Sequence, residues 1–234
     1  MEEQKHASDN SNISHKLNVL RAGVLGANDG IVSTAGLVVG VAGATTDTTT
    51  ILISGLAGLV AGALSMAGGE YVSVSTQKDT EEAEIAKETE EIATNYEGEL
   101  TELTHIYQKK GLSEPLARQV AKELMDKNAV AAHAEAELNI NPEHYANPYY
   151  AALTSMMAFA IGALLPLLSI IILPINARIS GTFIVILISL VLTGYVSAKL
   201  GDAPKKPAIV RNVVVGCITM VITYLVGHFF HVSA

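Results

Sequence analysis

Five runs of this 234-residue chain are long, apolar and almost uncharged: Ala22 to Ala44, Ile51 to Thr76, Tyr149 to Leu173, Ile179 to Ala198 and Ala208 to Gly227. Each holds about 20 to 26 residues, enough to cross a hydrocarbon layer of roughly 30 Å as an α-helix. Lipid offers no water to backbone N–H and C=O groups, so a chain with five such runs is expected to be an all-α membrane protein with five transmembrane helices. The first twenty-one residues are polar and lack the apolar core of a signal peptide, so no cleavage is expected. The one cysteine, Cys217, lies in the last run and has no partner for a disulfide within the chain.

Charge placement sets the expected sidedness. Of the fifteen Lys and Arg, three precede the first run, seven lie between the second and third, and four flank the link between the fourth and fifth. Only Arg178 falls between the third and fourth. The positive-inside rule then puts the N-terminus and the long polar segment in the cytoplasm and the C-terminus, from His228 on, outside. The expected organisation is a cytoplasmic segment (1–21), helices one and two (22–76), a cytoplasmic insert (77–148) and helices three to five (149–234). Nothing points to nucleic acid as a partner.

The insert is a different material from the rest. It carries sixteen of the twenty-three acidic residues and seven basic ones. Helix two is predicted to continue past Glu70 into the insert, through Gly98, which costs a helix only about 1 kcal/mol. Gly111 with Ser113-Glu114-Pro115 predicts a stop followed by a new helix capped by Ser113. Helices over Leu116 to Asp126 and Ala129 to Leu138 complete an expected three-helix insert. At 100° per residue, Ile85, Ile92, Tyr96, Leu100, Leu103 and Tyr107 share a packing stripe. Glu81, Glu84, Glu88, Glu91, Glu99 and Glu102 form an adjoining row whose like charges repel at gaps of three and four. The row is either a solvated acidic face or a set of oxygen ligands for divalent cations. His133, Glu135 and Glu137 offer a further short run of ligand types.

Two carboxylates lie within the apolar runs, those of Asp29 and Glu70, and each is costly in lipid unless it faces a cavity or a partner. Met66 lies one turn before Glu70 on the same face. A carboxylate and a thioether together suit a transition metal of intermediate softness, although Met66 also reads as packing and Glu70 as a solvated helix end. Ser54, Gly58 and Gly62, beside Ala57, Ala61 and Ser65, form a surface for close helix approach. A homodimer is expected, because five spans make a thin bundle around a polar path.

Ala27-Asn28-Asp29-Gly30-Ile31-Val32-Ser33-Thr34 and the stretch from Gly55 to Ser73, GLAGLVAGALSMAGGEYVS, resemble the signatures of the vacuolar iron transporter family, and the resemblance covers essentially the whole chain. It implies a homodimeric exchanger that moves Fe(II), and often Mn(II), out of the cytoplasm against protons, with no prosthetic group. It implies a pathway lined by Asp29 and Met66, with Glu70 close by, and insert ligands at Glu88, Glu91, Glu99, Glu102 and Glu137. The family's third insert helix supplies a methionine that this sequence lacks, so His133 or Glu135 is the expected substitute. The expected function is a proton-coupled metal exporter in the plasma membrane. The alternative is a membrane-anchored iron sensor or store that binds without transport. An intramembrane aspartyl hydrolase would need a second aspartate in a neighbouring span, and only Asp29 is present.

Overall fold

The computed structural model describes residues 2–142 and 145–230, with side chains from Leu20 onward, and the described residues are helical with short connections. In chain order the helices are α1 (Glu2–Ala44), α2 (Thr48–Thr94), α3 (Tyr96–Lys109), α4 (Glu114–His133) with a π-helical turn at Ala134–Leu138, α5 (Pro148–Ile172), α6 (Arg178–Leu200) and α7 (Lys205–Phe229). Five of them contain a stretch long and apolar enough to cross a membrane, the first within Leu20–Ala44 and the others in α2, α5, α6 and α7. Contacts divide the chain into a membrane unit, 12–72 with 148–234, and a second unit, 1–11 with 73–147. Most of the expected N-terminal segment, and His231 with the rest of the tail, lie outside the residues whose side chains are described.

In the membrane unit α1 occupies the middle. Its Ile31, Val32 and Ala35 pack with Ile186 and Leu190 of α6 and Met220 of α7. Val38 and Val39 meet Ile51 of α2 and Leu167 and Ile170 of α5. Such close surrounding requires small residues where backbones cross. A Cβ added at Gly30 would lie 2.1 Å from the Phe159 carbonyl oxygen on α5, and one added at Gly227 of α7 would lie 1.7 Å from the Gly40 carbonyl oxygen. Half of the apolar window of α1 is buried within the chain, against 17% for that of α2. Between α5 and α6, Ser169 donates to the Pro166 carbonyl at 2.8 Å and therefore accepts from the Thr182 hydroxyl, also at 2.8 Å.

Outside the membrane unit, α3 and α4 form a small core from Leu100, Leu103, Ala121, Met125 and Ala132. Gly111, at φ +102°, makes the turn between them that the sequence predicted. Two local expectations are corrected. The helix through Gly98 is not continuous: it ends at Thr94, and Asn95 starts α3 with its Oδ1 accepting the Gly98 N–H at 3.2 Å. Ser113 stands at the N-cap of α4, but its carbonyl rather than its hydroxyl takes the first bond, from the Ala117 N–H at 2.8 Å. The expected separation between helices at 116–126 and 129–138 falls at Asn128, whose extended backbone (φ −163°) divides α4 and whose Oδ1 accepts the Ala131 N–H at 3.1 Å, and the second part finishes in the π turn that left-handed Asn139 closes.

Candidate metal sites

The break at Asn95 determines the first site. In one straight helix Glu88 and Glu99, eleven residues apart, would be separated by about 16 Å along the axis. With the chain redirected at Asn95, one ligand atom from each of Glu88, Glu99 and His133 lies within 4.8 Å of the others. The single-helix row predicted from the sequence therefore contains two of the residues that gather here, for a geometry that the chain does not have.

His133 is completely buried at the end of α4. Its Nδ1 lies 2.8 Å from Glu88 Oε1, 3.5 Å from Glu137 Oε2 and 3.9 Å from Glu99 Oε2. Despite that proximity, His133 Nδ1, His133 Nε2 and Glu88 Oε1 have no aligned hydrogen-bond partner. Buried polar atoms in folded proteins are nearly always paired. Atoms that gather in this way without pairing could hold a shared cation. Electrostatics agree. Burial holds the Glu88 carboxyl above the usual carboxylate range, His133 opposes that shift, and the charges of Glu137, Glu99 and Glu91 reinforce it. Burial likewise raises Glu99, against His133 and with Glu102, Glu91 and Glu137. A divalent cation would reverse both effects by favouring the charged form. Carboxylates with one imidazole suit first-row divalent ions such as Mn(II), Fe(II) and Zn(II).

The remaining insert candidates stand outside this cluster. Glu91 is half-buried and pairs with Lys87 at 3.5 Å. Glu102 is exposed and acts on Glu99 through its charge. Glu135 is exposed on the side of Tyr107, whose phenol its charge helps to raise after burial. Of the two expected substitutes for a methionine, only His133 faces the gathered carboxylates.

The second site is a cleft of about 190 Å³ in the membrane unit, lined by residues that include Asp29, Ser33, Thr34, Ser65, Met66 and Phe159. Helix α1 passes through Asp29-Gly30 without a break, so the carboxylate does not cap an interruption. Instead, Asp29 accepts a 2.5 Å hydrogen bond from the Ser33 hydroxyl one turn on. The Thr34 hydroxyl in the same wall is buried and has no partner. The cleft thus combines a carboxylate, hydroxyls and a thioether, as the sequence led one to expect of Asp29 and Met66. Glu70 is not among its lining residues: its carboxylate lies 3.3 Å from the Arg21 guanidinium. Sequence reasoning missed Arg21 and Phe159. Arg21 read only as one more cytoplasmic charge, and Phe159 was one apolar residue among many.

These features define the class: a multi-pass, all-helical integral membrane protein. The profile of the VIT family matches residues 20–228, and the chain belongs to that family, one of transporters rather than enzymes. A vacuolar iron transporter from Acanthamoeba castellanii is 43% identical over 209 residues, spanning 89% of this chain and 77% of the relative. Vacuolar iron transporter homolog 2.1 of Arabidopsis thaliana is 34% identical over 206 residues, covering 88% of this chain and 78% of its own. VIT-like transporter 1b of Glycine max is 32% identical over 206 residues, covering 88% and 73%.

Proposed function

We propose that the protein exports Fe(II), and also Mn(II), from the cytoplasm across the plasma membrane in exchange for protons, working as a homodimer. The observation that carries this reading is the cleft where Asp29 and Met66 meet within a chain of the VIT family. The names of the relatives supply iron as the cargo, and the softness of a mixed carboxylate and thioether set extends it to Mn(II). The insert, with Glu88, Glu99, His133 and Glu137 at its centre and Glu91, Glu102 and Glu135 around them, lies in the cytoplasm and collects the ion. Glu70, Met66 and Asp29 then carry it through the membrane. A proton and a divalent cation compete for the Asp29 carboxylate, so protonation from the outer side releases the ion.

The homodimer is supported by α2. Ile53, Leu56, Val60 and Leu64 are all more than 45% exposed within one chain, and beside them the exposed Ala57, Ala61 and Gly68 leave a flat strip. Ser65 belongs to both this face and the cleft wall, so a second copy seated on α2 also covers the open side of the cleft.

The test is influx of Fe(II) and Mn(II) into liposomes holding the purified protein, with and without a proton gradient. Gradient-dependent flux that falls at least tenfold in Asp29→Ala and Asp29→Asn is expected. Undiminished flux in those variants removes the mechanism. The tight gathering of Glu88, Glu99 and His133 favours a second reading, a membrane-anchored iron sensor or store. That reading predicts stoichiometric binding without flux.

A further inference from the structure

Among the described residues of the membrane unit, Arg21 and Glu70 form the one ion pair. The two partners are unequal: the Glu70 side chain is 11% exposed and that of Arg21 is 62% exposed. The carboxylate is thus set into the unit, while the guanidinium reaches it from the surface. Glu70 stands one turn beyond Met66 on α2, and Arg21 stands eight residues, about 12 Å, before Asp29 on α1. In chain order the pair thus lies between the cleft residue Met66 and the part of α2 that continues into the insert.

We infer that Arg21 is the resident counter-cation of Glu70: it holds the carboxylate while no divalent ion is there, and each arriving ion displaces it. This rests on the reading of Glu70 as part of the metal path. Arginine stays charged at every physiological pH, so Arg21 leaves Glu70 as a cation and returns as one. A buried carboxylate is never left unpaired as the ion moves on toward Met66 and Asp29. The return of Arg21 behind the ion also disfavours its backward step.

A positive charge within a few ångströms changes the affinity of a carboxylate for another cation by about tenfold or more. Removing that charge therefore tightens metal binding and lowers the concentration that half-saturates transport, whereas a pair that only ties α1 to α2 predicts neither. The experiment is equilibrium Mn(II) binding, read by electron paramagnetic resonance, to the full-length protein. It uses a Glu88→Gln/Glu99→Gln background that silences the insert, alongside Mn(II) flux in liposomes. Arg21→Gln should bind Mn(II) about tenfold more tightly, with the half-saturating concentration for flux lowered in proportion. Arg21→Lys should stay near the starting protein on both readouts. If Arg21→Gln is not monodisperse, Arg21→Met, which keeps the aliphatic stem, takes its place. Unchanged or weaker Mn(II) binding in the uncharged variant overturns the role of Arg21, even where flux is intact. Tighter binding in a protein that shows no flux upholds Arg21 and overturns the exporter.

Discussion

A carboxylate with only 5% of its surface exposed, as Glu88 has, holds a negative charge at a cost unless a cation shares its surroundings. Burial raises the Glu88 carboxyl from its ordinary value of 4.5 and does the same to Glu99. The folded, metal-free protein therefore keeps protons that the unfolded chain has already released. The sign follows from linkage: the stabilising contribution of these two groups is complete below about pH 4.5 and is lost as pH rises through their elevated range. In chelator, the thermal midpoint of the unit holding Glu88 should fall as pH rises from 5 to 7.5, and Mn(II) should restore it. Glu88→Gln should flatten that decline and weaken metal binding by tenfold or more. Calorimetry with and without the ion checks both, and a midpoint indifferent to pH and to Mn(II) would leave the cluster without a metal role.

The joint between α2 and α3 sets the insert site, and it was the least legible element in the sequence. The five apolar runs were plain because lipid imposes length and composition on every residue of a span. Asp29, Met66 and Glu70 stood out because charge and sulfur are conspicuous there. The break at Asn95 left no comparable mark: Gly98 drew the eye, while an asparagine that caps a helix looks like any polar surface residue. What redirects the chain is tertiary, the docking of Leu100 and Leu103 onto Ala121 and Met125, and periodicity within one helix carries no information about that partner. The charge row misled for the same reason, since angles on a straight cylinder place Glu99 beside Glu88 in projection but a long way off along the axis. Asn95→Ala removes the bond to the Gly98 N–H, a cap contribution of about 1 kcal/mol. Helix content should barely change, whereas Mn(II) affinity of the insert should fall several-fold, because the joint rather than the ligands has been loosened. Circular dichroism beside a Mn(II) titration separates the two effects.

At the scale of the whole molecule, α1 and α2 divide the work. Helix α2 leaves most of its apolar window uncovered within one chain, and the proposed homodimer covers it. Ala61→Trp places a large ring in the flat strip and should convert the purified protein from two chains to one, as measured by light scattering, with a loss of flux. A variant still dimeric would put the interface elsewhere. Helix α1, by contrast, has half of its apolar window buried against α2, α5, α6 and α7, and it has the lowest mean hydropathy of the five spans. Those two properties belong together, because the face of a helix that contacts protein does not have to be soluble in lipid. The consequence concerns the making of the protein. Of these five spans the one made earliest has the lowest hydropathy and carries an aspartate, and α6 and α7, which pack against it, are made after the insert. Assembly therefore leaves α1 without its contacts to Ile186, Leu190 and Met220 until α6 and α7 have been made.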